Sequence, residues 1–320
     1  MDLVDPFGRT IRDLRISVTD RCNFRCTYCM PDEGMVWVPR SEVLTFEEIE
    51  RLARIFVERF DVDGLRLTGG EPTVRAHLPV LVGKLAALRV PSTSRSSLAG
   101  RAPDMGLTTN GATFRLVARD LRKAGLDRVN ISLDTLRADR FVEMTRRDEL
   151  VSVLDGIEAA KEAGFAPVKI NAVVQRGVND DEIVDLARFG REHDVEVRFI
   201  EFMPLDAEQN WQSADVLDGA AIRRILEAEF GPLRPVERPH SSQPASDFEF
   251  ADGGGRIGLI QPVSQPFCEA CDRLRLTAEG QVRNCLFSTA EWDARAILRG
   301  GGSDDEHRRH GHDPAPDFSQ

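Results

Sequence analysis

From Leu14 to about Met203 the chain repeats one unit: a short apolar run, then a longer stretch in which apolar positions recur at helical spacing. The short runs predict strands at Leu14–Thr19, Gly64–Thr68, Met105–Thr109, Arg128–Leu133, Val168–Val174 and Val195–Phe202. The longer stretches predict helices at Thr45–Phe60, Leu78–Leu88, Thr113–Ala124, Val151–Ala163 and Asp180–His193. Thr45-Phe-Glu-Glu reads as an N-cap followed by acids in the first turn. Gly125 and Gly164 stand where helix C-caps belong. Strand–helix alternation of this kind implies parallel strands joined by right-handed crossovers, in an open partial barrel or a doubly wound sheet. In both, chemistry collects at the C-terminal ends of the strands.

After about Asp206 the rhythm changes. A helix is expected at Leu217–Phe230 and a Pro/Ser-rich loop from Pro232 to Ser246. Short strands are expected at Arg256–Ile260, Leu274–Thr277 and Gln281–Asn284. The expected division is 1–215 as an α/β barrel unit, 216–298 as a smaller α+β unit and 299–320 as a mobile tail rich in Gly, His and Asp.

Composition narrows the function classes. At 320 residues, 41% of them apolar, the chain can hold a substantial core. No apolar run approaches the roughly 18 residues that span a bilayer, and the first residues lack the apolar stretch of a secretory signal. A net charge of -11 argues against broad nucleic-acid binding. The expectation is a cytoplasmic protein with no nucleic-acid or membrane partner.

The six cysteines change the picture most. All fall in two triplets: Cys22, Cys26 and Cys29, then Cys268, Cys271 and Cys285. Three thiolates are one short of the four that usually hold an iron–sulfur cluster, so each cluster would keep one iron open to a ligand. A structural zinc site is the alternative for each triplet. Zinc closes with four ligands, which the first loop lacks, and it is the more serious rival at the second. Gly69-Gly70-Glu71-Pro72 follows the second predicted strand, where paired glycines let backbone approach a ligand. Arg273 and Arg275 lie two apart on one strand face, suited to phosphate or carboxylate. His77 and His193 read as surface or capping residues, and His307, His310 and His312 as part of a solvated tail. Trp37, Trp211 and Trp292 read as packing residues.

These residues resemble the GTP 3',8-cyclase family (MoaA), radical S-adenosylmethionine enzymes of molybdenum cofactor biosynthesis. The resemblance runs from about Asp5 to Leu298. It is carried by Leu14-Arg-Ile-Ser-Val-Thr-Asp-Arg-Cys-Asn-Phe-Arg-Cys-Thr-Tyr-Cys-Met-Pro, Arg66-Leu-Thr-Gly-Gly-Glu-Pro, Leu107-Thr-Thr-Asn-Gly, Asn130-Ile-Ser-Leu-Asp, Arg198-Phe-Ile-Glu-Phe-Met-Pro and Phe267-Cys-x-x-Cys-Asp-Arg-Leu-Arg-Leu. It implies a partial (β/α)6 barrel with a smaller C-terminal α+β domain carrying a second 4Fe–4S cluster. It implies Cys22, Cys26 and Cys29 as ligands of the first cluster and Cys268, Cys271 and Cys285 as ligands of the second. Tyr28, Gly70, Ser132, Asn171 and Met203 match S-adenosylmethionine contacts. Arg15, Arg66, Thr108, Lys169, Arg198, Arg273, Leu274 and Arg275 match GTP contacts. No catalytic side chain beyond the clusters is implied.

The implied reaction begins with a 5'-deoxyadenosyl radical that takes the 3' hydrogen of GTP. The ribose carbon then adds to C8 of guanine, giving 3',8-cyclo-7,8-dihydro-GTP. Cyclic pyranopterin monophosphate synthase (MoaC) follows in the pathway, and an electron donor is required. A homodimer is a family expectation.

The chain departs from the family pattern in three places. The family tail closes on Gly-Gly, whereas this sequence ends Phe318-Ser-Gln. An extra Ser/Arg/Pro-rich stretch, Arg89 to Asp104, is expected to be exposed and to disturb packing before the third strand. A lysine common before the second-strand motif is replaced by Asp63 and Gly64. The lost Gly-Gly keeps a second reading open: a paralogue that retains clusters and nucleotide site without turnover. A radical enzyme that modifies peptides is a third, though it would have no need of Arg273 and Arg275.

Overall fold

The computed structural model describes residues 2–31, 35–205, 211–238, 240–288 and 291–301. The expected tail, with its three histidines, lies outside the described residues apart from 299–301.

The repeating unit folds as strands and helices in alternation. In order these are β1 (Leu3–Val4), β2 (Thr10–Ile11), β3 (Asp13–Ser17), α1 (Phe46–Phe60), β4 (Gly64–Thr68), α2 (Leu78–Ala86), β5 (Asp104–Thr109), α3 (Ala118–Ala124), β6 (Arg128–Ser132), α4 (Ala138–Thr145), α5 (Leu150–Glu162), β7 (Lys169–Val174), α6 (Ile183–Glu192) and β8 (Glu196–Glu201). Thr45 caps α1 through a complete capping box with Glu48. Gly125 ends α3 in the left-handed conformation, at φ 108.

Strands β3 to β8 are neighbours in chain order and all parallel. Along each, Leu14 and Ile16, Leu65 and Leu67, Val129 and Ile131, or Ile170 and Ala172 are buried, and the residues between them are half-buried. The apolar set belongs to the core cluster with the helices, and the polar set lines the other face of the sheet. That face is curled. Arg66 on β4 and Arg198 on β8 are four strands apart, about 19 Å in a flat sheet, yet each lies within the other's electrostatic reach. The result is an open (β/α)6 barrel with a polar lumen.

The remaining elements are α7 (Gly219–Phe230), β9 (Leu233–Pro235), β10 (Ala245–Phe250), β11 (Arg256–Ile260), β12 (Arg273–Leu276), β13 (Gln281–Arg283), β14 (Trp292–Asp293) and α8 (Ala294–Arg299). These strands do not form a sheet of their own. β11 adds in parallel to β8, and β12 adds in parallel to β3, so the C-terminal segment continues the barrel sheet at both edges. Glu201 at the end of β8 fastens this segment. Its buried carboxylate accepts from the N–H groups of Gly219, Val263 and Ser264 at 2.9, 3.0 and 2.9 Å.

Several expectations are corrected. The Pro/Ser-rich stretch contains β9 and the start of β10, an antiparallel edge pair in which Pro235 is tolerated because the edge needs no further donor. The helix expected over 113–124 is broken: Phe114–Leu116 is a 3-10 turn, and α3 starts only at Ala118. Helix α4 lies between two expected elements, too short to announce itself by periodicity. The extra stretch from Arg89 is closed on itself, by Val90 donating to Arg101 O and Gly100 donating to Val90 O, both at 2.9 Å. β5 then pairs with β4 without a register shift, Leu67 opposite Leu107. No described helix is long and apolar enough to cross a membrane.

Candidate active site

The first cysteine triplet sits on the loop between β3 and α1, over the C-terminal ends of the barrel strands. Cys29 and Met30 both donate to Cys26 O at 2.9 Å, and Phe24 N donates to Cys22 Sγ at 3.3 Å. Arg25 and Thr27 donate to Thr145 O and Met144 O, tying the loop to the end of α4. All six cysteines are free thiols. Burial pushes the thiols of Cys22, Cys26 and Cys29 up, and like-charge repulsion adds to this: Cys26 senses Cys22 and Cys29, and Cys22 senses Cys29. Thiols in such a site become thiolates when a cation arrives to balance them. Among the described residues, no three His, Cys, Asp or Glu side chains are grouped to hold a single metal ion. An all-sulfur set of three, one short of the four ligands with which structural zinc closes, fits a polynuclear iron–sulfur group better than zinc.

Gly69 and Gly70 bring the next loop against this one. A Cβ on Gly69 would stand 2.3 Å from Thr19 O, and one on Gly70 would stand 2.3 Å from Arg21 O. Gly70 N and Glu71 N donate to those same carbonyls at 2.8 and 2.7 Å. Glu71 is buried and accepts from Thr73 N, Thr73 Oγ1, Thr109 Oγ1 and Asn110 N at 3.0, 2.6, 2.6 and 2.6 Å. Burial pushes its carboxyl above the usual range, and these donors oppose the shift. Asn110 completes the chain by donating to Asn23 Oδ1 at 2.8 Å.

On the opposite wall, Tyr28 donates to Asp134 Oδ2 at 2.6 Å, and Val173 N donates to Asp134 Oδ1 at 2.8 Å. Desolvation raises the Asp134 carboxyl to about 6. Ser132, Asn171 and Arg198 lie side by side on β6, β7 and β8. Asn171 Oδ1 and Arg198 Nε are buried without a hydrogen-bond partner, as is Arg15 Nε on β3. Unsatisfied polar atoms on a lumen wall are donors and acceptors set for a ligand. Met203 follows β8 and is half-buried.

Below the mouth the lumen is basic. Arg275, Arg15 and Arg66 are in lateral register on β12, β3 and β4. Burial and mutual repulsion push each of these guanidiniums down to about 10. Asp13 opposes the effect at Arg15, 3.6 Å away, and at Arg66. Lys169 is also lowered, first by burial and then by Arg198, though it pairs with Glu196 at 2.9 Å. Thr108 stands on β5 opposite Asn130. Leu274 belongs to the hydrophobic core, leaving its backbone for any contact with the lumen. Stacked guanidiniums that burial works to discharge form a site for a polyanion.

The second triplet lies beside this row. Arg273, in register with Asp13, donates to Cys271 Sγ at 3.6 Å and to Ser242 O at 2.5 Å, and its guanidinium lies over the Phe267 ring. A bracket not expected from the sequence comes from the N-terminal hairpin. Arg9, held by Asp5, donates to Cys268 O at 3.1 Å and to Asn284 O at 3.3 Å, so it joins the loop of Cys268 and Cys271 to the residue before Cys285. Asp134, Glu71 and Arg9 were legible only as motif neighbours or not at all. The spacing Asp-x-x-x-Arg in a tight hairpin was the available signal for the last.

The structure therefore arranges most of the expected site residues around one lumen, with a thiol triplet at the mouth, polar groups on the wall, a basic floor and a second thiol triplet at one edge, whereas the Leu274 side chain is packed in the core. Residues 16–190 match the profile of the Radical SAM superfamily, and residues 195–312 match that of Molybdenum Cofactor Synthesis C. A protein of Mycobacterium sp. (strain KMS) named GTP 3',8-cyclase is 49% identical over 95% of this chain and 83% of its own. One of the same name from Streptomyces coelicolor is 47% identical over 95% and 86%. Among solved structures, Streptococcus suis SuiB bound to S-adenosylmethionine shares the fold at a TM-score of 0.59 and 14% identity, over 90% of this chain and 62% of its own.

Proposed function

The chain belongs to the GTP 3',8-cyclase family of radical S-adenosylmethionine enzymes, and on that premise we propose that it converts GTP to 3',8-cyclo-7,8-dihydro-GTP for molybdenum cofactor biosynthesis. One observation carries the substrate: the row Arg275–Arg15–Arg66 on the lumen floor of a protein whose net charge is -11. An acidic protein that concentrates buried guanidiniums in its central cavity is built to capture an anion there.

The residues divide the work. Cys22, Cys26 and Cys29 would hold a 4Fe–4S cluster at the mouth, and Cys268, Cys271 and Cys285 a second. When bound and reduced, the first supplies the electron that cleaves S-adenosylmethionine, so that a hydrogen can be taken from the substrate ribose. Tyr28, Gly70, Ser132, Asn171 and Met203 surround the space beside the first triplet and orient the cofactor. The missing side chains of Gly69 and Gly70 let their loop pack against the Thr19 and Arg21 carbonyls, which sets the glycine loop beside the cysteine loop. Arg15, Arg66, Lys169, Arg198, Arg273 and Arg275 hold the triphosphate, with Thr108 and the Leu274 backbone beside them. Anchoring the polyanion on the floor fixes the ribose toward the mouth, which is the positioning a radical step needs.

A low-potential electron donor and, downstream, cyclic pyranopterin monophosphate synthase (MoaC) complete the setting, in the cytoplasm; a homodimer is the expected assembly. A paralogue without turnover would be free to lose these groups, whereas this chain keeps both triplets and the basic floor. Anaerobic reconstitution with iron and sulfide, reduction, and incubation with S-adenosylmethionine and GTP tests the reading. GTP-dependent 5'-deoxyadenosine together with the cyclised nucleotide is the expected result. Clusters present without either product would sink it.

A further inference from the structure

Arg128 opens β6 and lies outside the set of GTP contacts derived above. It shares the lumen-facing set of that strand, two and four residues before Asn130 and Ser132, but at the open lower end of the barrel, where its side chain is 44% exposed. Through Gly106 it is in lateral register with Arg66: Arg66 pairs with Gly106 on β5, and Gly106 pairs with Arg128 on β6. The glycine matters. A Cβ there would stand 2.6 Å from Arg66 Nη1, so the Arg66 guanidinium extends across the bare backbone toward β6. Arg66 in turn senses the charge of Arg128, and Arg128 senses Asp13 and Arg198, groups on β3 and β8 that face the same space. The basic row of the floor therefore continues past Arg66 across a side-chain-free notch to a fourth guanidinium.

Arg128 is aimed by Asp104, which accepts from its Nε at 2.9 Å and pairs with its Nη2. That pair uses one edge of the fork and leaves Nη1, with two further N–H groups, for another acceptor. Along β6, Arg128 lies about 13 Å below Ser132, at the end of the lumen furthest from the cysteine loop. A nucleoside triphosphate whose ribose faces that loop puts its last phosphate deepest. We propose that Arg128 and Arg66, facing each other over Gly106, form a dedicated subsite for the terminal phosphate and make the pocket select triphosphates over diphosphates. This rests on the reading of GTP as substrate.

The test compares GTP, GDP and GMP binding to the cluster-loaded protein by equilibrium dialysis, with GTP turnover in parallel. Arg128→Gln is expected to weaken GTP by about tenfold, roughly one charge-assisted contact. GDP and GMP should bind as before, KM for GTP should rise, and kcat should hold. Arg128→Lys recovers part of the loss. Asp104→Asn removes the same ion pair while keeping the guanidinium, so GTP binding is retained or tightened. Unchanged GTP affinity in Arg128→Gln would overturn the proposal. So would equal loss of all three nucleotides, or a loss in Asp104→Asn matching that in Arg128→Gln, which would mean that the ion pair only shapes the strand ends. Absence of GTP binding by the unmutated protein would instead refute the substrate reading itself.

Discussion

Tyr28 and Asp134 join the cysteine loop to the barrel wall through a single 2.6 Å hydrogen bond, and Tyr28 is the only tyrosine in the chain. The loop has no regular secondary structure between its cysteines, so side-chain ties of this kind decide where its thiols point. Asp134 joins the ends of β6 and β7 to the cysteine loop, because its other oxygen accepts from Val173 on β7.

That carboxyl gives a pH signature. Its folded pKa of about 6 lies above its ordinary value of 3.8. The folded state thus binds the proton more tightly than the unfolded chain, and stability falls as pH rises from about 4 to 6. Above that window the cost of the buried charge is constant, at most about 3 kcal/mol. Asp134→Asn keeps an acceptor for Val173 and offers an amide donor to the phenol oxygen. Urea midpoints of the metal-free protein at pH 4.5 and 7.5 should therefore differ less in Asp134→Asn than in the unmutated protein. Equal pH dependence in both would place the titrating group elsewhere.

Glu71 holds the glycine loop to the third barrel strand. Glu71→Ala leaves four donors around a buried space, and the expected loss is about 2–4 kcal/mol in chemical denaturation. Cleavage of S-adenosylmethionine should fall further than stability explains, since Asn110 and the glycine backbone lose their common anchor. A variant within 0.5 kcal/mol of the unmutated protein, a surface-like effect, would contradict the network.

The two triplets predict different failures. Cys22→Ala should abolish cleavage of S-adenosylmethionine, measured as 5'-deoxyadenosine, and remove about half of the bound iron. Cys285→Ala should leave some cleavage that no longer depends on GTP. Equal cleavage by Cys22→Ala and the unmutated protein would refute the assignment of the first triplet.

The basic floor predicts stabilisation by a polyanion even without clusters. Burial and neighbouring guanidiniums lower Arg15, Arg66 and Arg275 to about 10, so the folded chain carries the strain of buried like charges at neutral pH. Inorganic tripolyphosphate at 100 times its dissociation constant should add about 2.7 kcal/mol to the metal-free protein. Thermal shift experiments with Arg15→Gln and Arg66→Gln should show most of that gain lost. A shift that persists in both variants would move the anion site off the floor.

Much of this was readable in the sequence, for identifiable reasons. The strands β4 to β8 announce themselves because Leu65, Leu67, Val129, Ile131 and their counterparts alternate with polar lumen residues, a pattern of period two that survives without neighbours. The cysteines and the glycine pair are legible because their chemistry needs fixed local spacing. What stayed hidden is non-local. The Asp5–Arg9 spacing hints at a local pair but not at a bridge to residues 268 and 284, and nothing at Gly106 indicates that Arg66 will lie across it. β9 and β10 were hidden for a related reason: Leu233 and Phe248 are strand residues only because each borrows a neighbour. In the sequence Arg128 is only the first residue of an expected strand, and the register sets it level with Arg66.

The placement of β12 has a consequence for how the molecule comes into being. Arg275 is synthesised some 260 residues after Arg15, yet the two are neighbours on adjacent strands. While the chain emerges from a ribosome, β3 must wait with one edge bare, and β8 with it, until the last strands arrive from the far end of the message. The nucleotide pocket can therefore exist only in a completed polypeptide. A chain cut short before Arg273 would still cover β8 with β11 but would leave the β3 edge open to the cell's proteases and chaperones, and such fragments would be cleared rather than persist as half-working enzymes.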